Sequence, residues 1–169
     1  MAGRMLSFQP LTKAAFAPYG TVIETRDAKQ ISINQGTTTR FDALAKIDVS
    51  REGGTPIISL FRGTRRPSPI EICLLERHPL GSQAFMPLSD HDWLVVVAPG
   101  NADDSAPDFG SLVCFRATGA QGVSYDRGTW HHPLLVLEES QDFLVMDRFG
   151  DGHNLDEVWA DDIAAHIDI

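Results

Sequence analysis

Cysteine is scarce in this sequence: Cys73 and Cys114 are the only two among 169 residues. Neither belongs to a CxxC pair or to a Cys/His spacing of the kind that holds zinc. Both sit in apolar runs, Ile72-Cys73-Leu74 and Val113-Cys114-Phe115, so two reduced, buried thiols are expected and no disulfide framework. A single domain spanning residues 1–169 needs no such staple, because a chain of this size buries roughly 70% of the surface its unfolded form exposes. Lysine is scarcer still for its type, with only Lys13, Lys29 and Lys46, and the net charge is −9. That balance argues against nucleic acid and anionic membrane as partners, since both demand a basic face. Long hydrophobic runs are missing too. The longest, Trp93 to Pro99, is far too short to span a bilayer, and Met1 to Pro10 lacks the apolar core of a signal peptide. A cytoplasmic protein is the expectation. No GxSxG, P-loop or GxGxxG occurs, so no nucleotide or redox cofactor is expected.

What the sequence does contain is short apolar runs at regular intervals. Pro56–Phe61, Ile70–Glu76, Ser82–Pro87, Asp92–Ala98, Ser111–Ala117, Gly122–Tyr125, Leu134–Leu137 and Phe143–Asp147 follow one another, most of them divided by Gly, Pro, Asn or Asp. Seven or eight strands at about ten-residue spacing predict an all-β sandwich or barrel with a few short helices. Several runs are apolar without alternation, as strands buried on both faces are. A short helix is expected from Thr12 to Tyr19, capped by Thr12, and a strand at Ile31–Asn34. Helix is also read at residues 41–47 and, from the cap residue Asn154 with Asp156 and Glu157 behind it, in the tail 154–169. Residues 99–110 read as an acidic loop.

The arginines carry a further signal. Eleven of the fourteen cations are Arg, and Arg62, Arg65, Arg66 and Arg77 fall close together. Codon bias explains this as well as function does; the functional reading is a small-acid site in an acidic protein, because Arg grips carboxylates bidentately.

Two segments place titratable groups inside strand-like sequence: Glu76-Arg77-His78-Pro79-Leu80-Gly81-Ser82-Gln83-Ala84-Phe85-Met86-Pro87, and Gly122 to Pro133 with Tyr125, Gly128, Trp130, His131 and His132. The second resembles the second cupin motif, in which a Gly and a His stand three apart after a turn, as Gly128 and His131 do. The first resembles the first cupin motif, with Glu76 and His78 where metal-binding cupins carry His-x-His and Gln83 at the acidic-ligand place. More narrowly, ERHPLGSQAFMPL, GVSYDRGTWHHPL and DFLVMDRFG, together with FAPYGTVIE and ISINQGTTTRF, resemble the ureidoglycolate lyases, over about residues 6–158. The resemblance implies a cupin-like β-barrel or jelly roll, a homodimer, and release of glyoxylate and urea from (S)-ureidoglycolate in allantoin catabolism. It also implies, for some members, a divalent metal, nickel, for which Glu76, His78, Gln83 and His131 would be the ligands here; Gln is a poor ligand for such an ion.

The chemistry implied is modest. One carbon of ureidoglycolate bears a hydroxyl, a carboxylate and a urea nitrogen, and its collapse needs a base for the hydroxyl proton and an acid for the leaving nitrogen. His131 is read as the proton-transfer residue, with His78 and Gln83 positioning it or the substrate. Arg62 is the first candidate to hold the carboxylate. Asn34, Tyr125, Trp130, Asp147 and Arg148 are further candidates for lining the pocket; a lid or dimer contact suits Asn34 equally, and Asp147-Arg148 could be an ion pair at the barrel mouth. His91, His153 and His166 read as surface. An amidohydrolase releasing ammonia and a non-enzymatic binder of glyoxylate-like acids are the competing readings.

Overall fold

A computed structural model describes residues 3–169. The strands in chain order are β1 (Arg4–Met5), β2 (Phe8–Pro10), β3 (Gly20–Ile23), β4 (Gln30–Ile33), β5 (Thr38–Phe41), β6 (Thr55–Thr64), β7 (Ile70–Ile72), β8 (Leu74–Arg77) and β9 (Gln83–Pro87). They continue with β10 (Trp93–Ala98), β11 (Val113–Ala117), β12 (Gly122–Tyr125), β13 (Trp130–His131), β14 (Leu135–Val136), β15 (Ser140–Phe149), β16 (Asp156–Trp159) and β17 (Ala165–Ile167). The one α-helix among the described residues, α1 (Lys13–Phe16), begins where the sequence places it: the Thr12 side chain accepts the Ala15 amide, satisfying one of the donors a helix start leaves unpaired.

Two sheets face each other. One has the order β16-β8-β13-β10-β11-β2, with β14 beside β10; the other has the order β3-β12-β9-β15-β6. Between them lies a core built from inward residues of both: Trp93, Val95, Val97 and Phe115 from the first, Phe85, Val123, Tyr125, Phe143 and Val145 from the second. Trp93 meets Phe143 edge-on with ring centroids 4.9 Å apart, and each such side chain contributes about 2 kcal/mol by leaving water. The opposite face of β10 is just as apolar. Leu94, Val96 and Ala98 pack with Ile70, Ile72, Ala165 and Ile167, the last four from a small sheet of order β1-β17-β7. This second core explains why Trp93–Ala98 reads as an unbroken apolar run: the strand is covered on both sides.

Two sequence expectations fail. Residues 41–47 are not helical: Phe41 closes the β4–β5 hairpin, Asp42 donates to the Lys29 carbonyl, and Ala43 sits at φ 51°. The tail forms β16 and β17 instead of a helix. β16 pairs with β8, with Trp159 opposite Leu74, and β17 pairs with β7, with Ala165 opposite Ile72. Sheet edges needing partners outweigh the weak capping signal around Asn154. The strands that were expected fall within a few residues of their places, whereas β1, β2, β3, β5 and β13 were not foreseen. Ile70–Glu76 alone divides, at Cys73, into β7 and β8, which belong to different sheets. Both cysteines are free thiols, and burial pushes the Cys114 thiol up to about 12.

Candidate active site

The polar cluster sits at one end of the space between the two large sheets, where the apolar core gives way to titratable groups. β8 supplies Glu76 and leads into His78. β13 supplies His131, directly opposite Glu76 in the ladder. From the facing sheet, β9 supplies Gln83, β12 Tyr125 and β15 Asp147. The turn before β13 closes with Gly128 at φ +81°, a conformation open to glycine, and the Gly128 amide donates to the His78 carbonyl at 3.0 Å. The two motif segments are thus tied together by backbone.

Both imidazoles are oriented by carbonyl oxygens. His131 Nδ1 lies 2.8 Å from the Thr129 carbonyl and His78 Nδ1 lies 2.8 Å from the Asn154 carbonyl. A carbonyl only accepts, so each Nδ1 carries the proton, and in the neutral ring each Nε2 offers a lone pair. His131 Nε2 is buried without a hydrogen-bond partner, with Glu76 Oε1 at 3.5 Å. Tyr125 stacks on the His131 ring, centroids 4.1 Å apart and planes within 12°, which fixes the imidazole plane. His78 and His131 are 5.4 Å apart, centroid to centroid.

Gln83 bridges the sheets. Its side-chain oxygen is 3.2 Å from His78 Nε2 and its nitrogen donates to Asp147 Oδ2 at 3.3 Å. With the amide in this orientation, His78 donates to Gln83 only when its Nε2 is protonated; with the amide reversed, the Gln83 nitrogen donates to the Nε2 lone pair of a neutral His78. Asp147 Oδ1 is buried and unpartnered. Burial, followed by the neighbouring charge of His131, holds His78 below the ordinary imidazole value, against the opposing pull of Asn154, Glu76 and Asp147. For Glu76, burial favours the neutral form, but the His131 contact and the charges of His78 and His132 outweigh it and keep the carboxyl below its usual range.

The donor set fits a divalent ion. Ligand atoms from Glu76, His78 and His131 lie within 4.8 Å of one another. Donors about 2.0–2.2 Å from an ion are at most roughly 4.4 Å apart, so small side-chain movements bring all three onto one ion. The second nitrogens held by Thr129 and Asn154 carbonyls are the outer contacts such histidines require. Gln83 touches His78 and Asp147, the position of a positioning residue more than of a ligand.

Other expected residues lie elsewhere. Arg62 follows Phe61, whose ring packs inward on Phe85 at 5.7 Å, so its own side chain points outward; it is 73% exposed and paired with Asp142 at 2.7 Å. Arg148 points to the opposite side of β15 from Asp147 and donates to the carbonyls of Arg51, Glu52, Gly150 and Asp151, pinning a loop. The two are not an ion pair. Trp130 belongs to the second core, with the Arg77 guanidinium 4.3 Å over its ring. Asn34 lies in the exposed turn of the β4–β5 hairpin and bonds Thr38. His132 is buried, its Nδ1 bonded to the Pro133 carbonyl at 2.7 Å, and burial lowers it to about 4. His91 and His153 are exposed, whereas His166, on β17, is half-buried. Sequence reading did not place Thr129 or Asn154 at the site, because they act there through carbonyls that every residue possesses.

Fold and cluster together define a cupin-like β-sandwich whose two imidazoles and carboxylate converge between the sheets. The ureidoglycolate lyase family profile matches residues 3–168. A protein of Burkholderia mallei named ureidoglycolate lyase is 57% identical over 154 residues, covering 91% of this chain and 88% of the relative. One from Pseudomonas syringae pv. tomato with the same name is 50% identical over 155 residues, 91% and 89% of the two chains, and one from Pseudomonas fluorescens is 49% identical over 154, 91% and 90%. The chain belongs to the ureidoglycolate lyase family.

Proposed function

We propose that this protein is a lyase that splits (S)-ureidoglycolate into glyoxylate and urea. The observation that carries the reading, beside family membership, is the bare Nε2 of His131, buried in one cluster with a second imidazole, His78, that Gln83 links to Asp147. His131 takes the hydroxyl proton of the substrate. The carbinol C–O bond gains double-bond character as the C–N bond breaks, and the electron pair of that bond leaves on the urea nitrogen. The His78–Gln83–Asp147 chain supplies the proton that nitrogen needs. Atoms and charge balance without water, oxidant or nucleophile.

The substrate carboxylate needs a positive partner. Glu76 and His78 act on one another, and His131, His132 and Asp147 act on them. A divalent ion held by Glu76, His78 and His131, nickel by the family resemblance, would supply that charge and orient the hydroxyl and carboxylate; because it would occupy the Nε2 lone pair of His131, it is the alternative to His131 acting as the base, and would itself acidify the hydroxyl. The site then works in a homodimer: β6 is an edge strand exposing Ile58 at 68% and Leu60 at 67%, apolar surface of the kind a second copy covers. A cytoplasmic location suits an enzyme of small-molecule catabolism.

The deciding experiment is product analysis on racemic ureidoglycolate, with glyoxylate, urea and ammonia measured above the spontaneous rate. Glyoxylate with equimolar urea, stopping near half consumption, is expected. Ammonia in place of urea would make the protein a hydrolase, and no acceleration would reduce it to a binding protein.

A further inference from the structure

Arg65 and Arg66 take no part in the cluster between the sheets. β6 ends at Thr64, and the chain runs through Arg65-Arg66-Pro67-Ser68-Pro69 before β7 begins at Ile70. The two prolines restrict the backbone here, so the guanidiniums project from a stiff segment. Beside them opens a cavity of about 790 Å³ lined by Arg65, Arg66, Arg116, Phe8, Leu94 and Leu137, a size typical of small-molecule sites. None of its lining residues belongs to the lyase cluster.

The charges of these arginines are unevenly satisfied. Arg116 is paired with Asp92 at 2.8 Å. Arg65 reaches only the Leu137 carbonyl, at 3.4 Å. Arg66 has no ion pair or side-chain hydrogen bond with any described residue. Asp168 and the α-carboxylate of Ile169 also line the cavity, but among the described residues neither forms an ion pair with Arg65 or Arg66, so both guanidiniums are left without an ionic partner in a chain whose net charge is −9. The lining also has an apolar part, made of Phe8, Leu94 and Leu137, with the Arg116 guanidinium 5.6 Å over the Phe8 ring. A cationic rim over an apolar floor selects an anion with an apolar body, because neither a bare inorganic ion nor a neutral hydrocarbon satisfies both.

We propose that this cavity is a second ligand site, for a small organic anion whose carboxylate or phosphate is held by Arg65 and Arg66 and whose apolar body rests on Phe8, Leu94 and Leu137. The test titrates the full chain with phenylphosphate, and with inorganic phosphate and phenol for comparison, by calorimetry and by amide chemical shifts. Phenylphosphate is expected to bind once per chain, at least about tenfold tighter than either comparison probe, with shifts centred on residues 65–69 and 137. Replacing both arginines (Arg65→Gln with Arg66→Gln) is expected to weaken it about tenfold or more, and Arg66→Gln alone by less. Ureidoglycolate turnover should stay unchanged in both, and the map of shifted amides separates this site from the lyase cluster even where no turnover is found. Undiminished binding in the double variant overturns the proposal. So do shifts confined to His78 and His131, equal binding of inorganic phosphate, and failure to saturate below about 10 mM.

Discussion

Replacing His131 is the perturbation that separates the proposed chemistry from mere packing. The residue is 2% exposed and among the largest fully buried side chains, so an alanine there would mix two effects: loss of a proton-transfer group and an unfilled hole costing about 2–4 kcal/mol. His131→Gln is the cleaner change, since it keeps most of the volume and leaves a polar end to meet Thr129. Its stability loss should stay near 1 kcal/mol, visible as a melting shift of about 2–4 °C. Turnover should fall by at least about 10²-fold, the ordinary worth of a positioned general base, measured as glyoxylate release above the spontaneous rate. Because base and departing nitrogen act in the same step, the loss should appear in kcat more than in KM. A folded His131→Gln protein retaining more than a third of wild-type turnover would remove His131 from the proton-transfer role.

Tyr125→Phe preserves the stack on His131 and should leave turnover within about threefold, whereas Tyr125→Leu loses roughly 0.5–1.5 kcal/mol of ring contact and should lower kcat about tenfold; equal rates in both variants would mean that the stack does not position the imidazole. Arg148→Ala removes the donor to four loop carbonyls and should cost roughly 3 kcal/mol, a melting loss of about 6–12 °C, while Arg62→Ala, on the outer face, should leave turnover unchanged within about twofold. Stability should also depend on acid through His132. Its folded value of about 4 lies below the unfolded value near 6.5, so the unfolded chain binds the proton first. Stability is therefore full above about pH 6.5 and falls as pH drops toward 4, by up to roughly 3 kcal/mol. His132→Gln should flatten the slope of denaturation midpoint against pH in that window, and an unchanged slope would assign the acid sensitivity elsewhere.

The strand order of the large sheets was not readable from spacing, yet most of their longer strands were, because most apolar runs end at a residue that turns the chain. Trp93–Ala98 announced a strand covered on both sides. β6 was harder. Ile57, Ile58, Leu60 and Phe61 are apolar on both faces of the strand, so nothing local fixes which parity points inward, and Arg62, the first candidate to hold the carboxylate, lies on the outward one. The tail was misread for a related reason. Asn154 does hold structure together, but as the acceptor of the Leu80 amide through its side chain and of His78 through its carbonyl, not as a helix cap. His78, Gln83 and His131 were legible because polar residues interrupt apolar strands at motif spacing. Their tautomers were not, because the groups that set them belong to the backbone.

The charge of the cluster leads to one more expectation. An anionic substrate entering between Glu76 and Asp147 meets carboxylates, and two unit charges of like sign about 4 Å apart at a partly buried site cost on the order of 4 kcal/mol. Histidine protonation could offset this only by consuming the lone pair that His131 needs as a base. A divalent ion on Glu76, His78 and His131 would supply that positive charge but would occupy the same Nε2 atoms, so with an ion bound it is the ion, in place of His131, that would acidify the substrate hydroxyl. Substrate affinity and metal content should therefore be linked. Protein stripped by a chelator should show a KM raised by about tenfold or more, restored by titrating back one equivalent of nickel, with retention of fold checked by the melting curve. Full activity at unchanged KM with negligible metal would mean that the carboxylate is held some other way, and that Glu76 serves only to polarise His131.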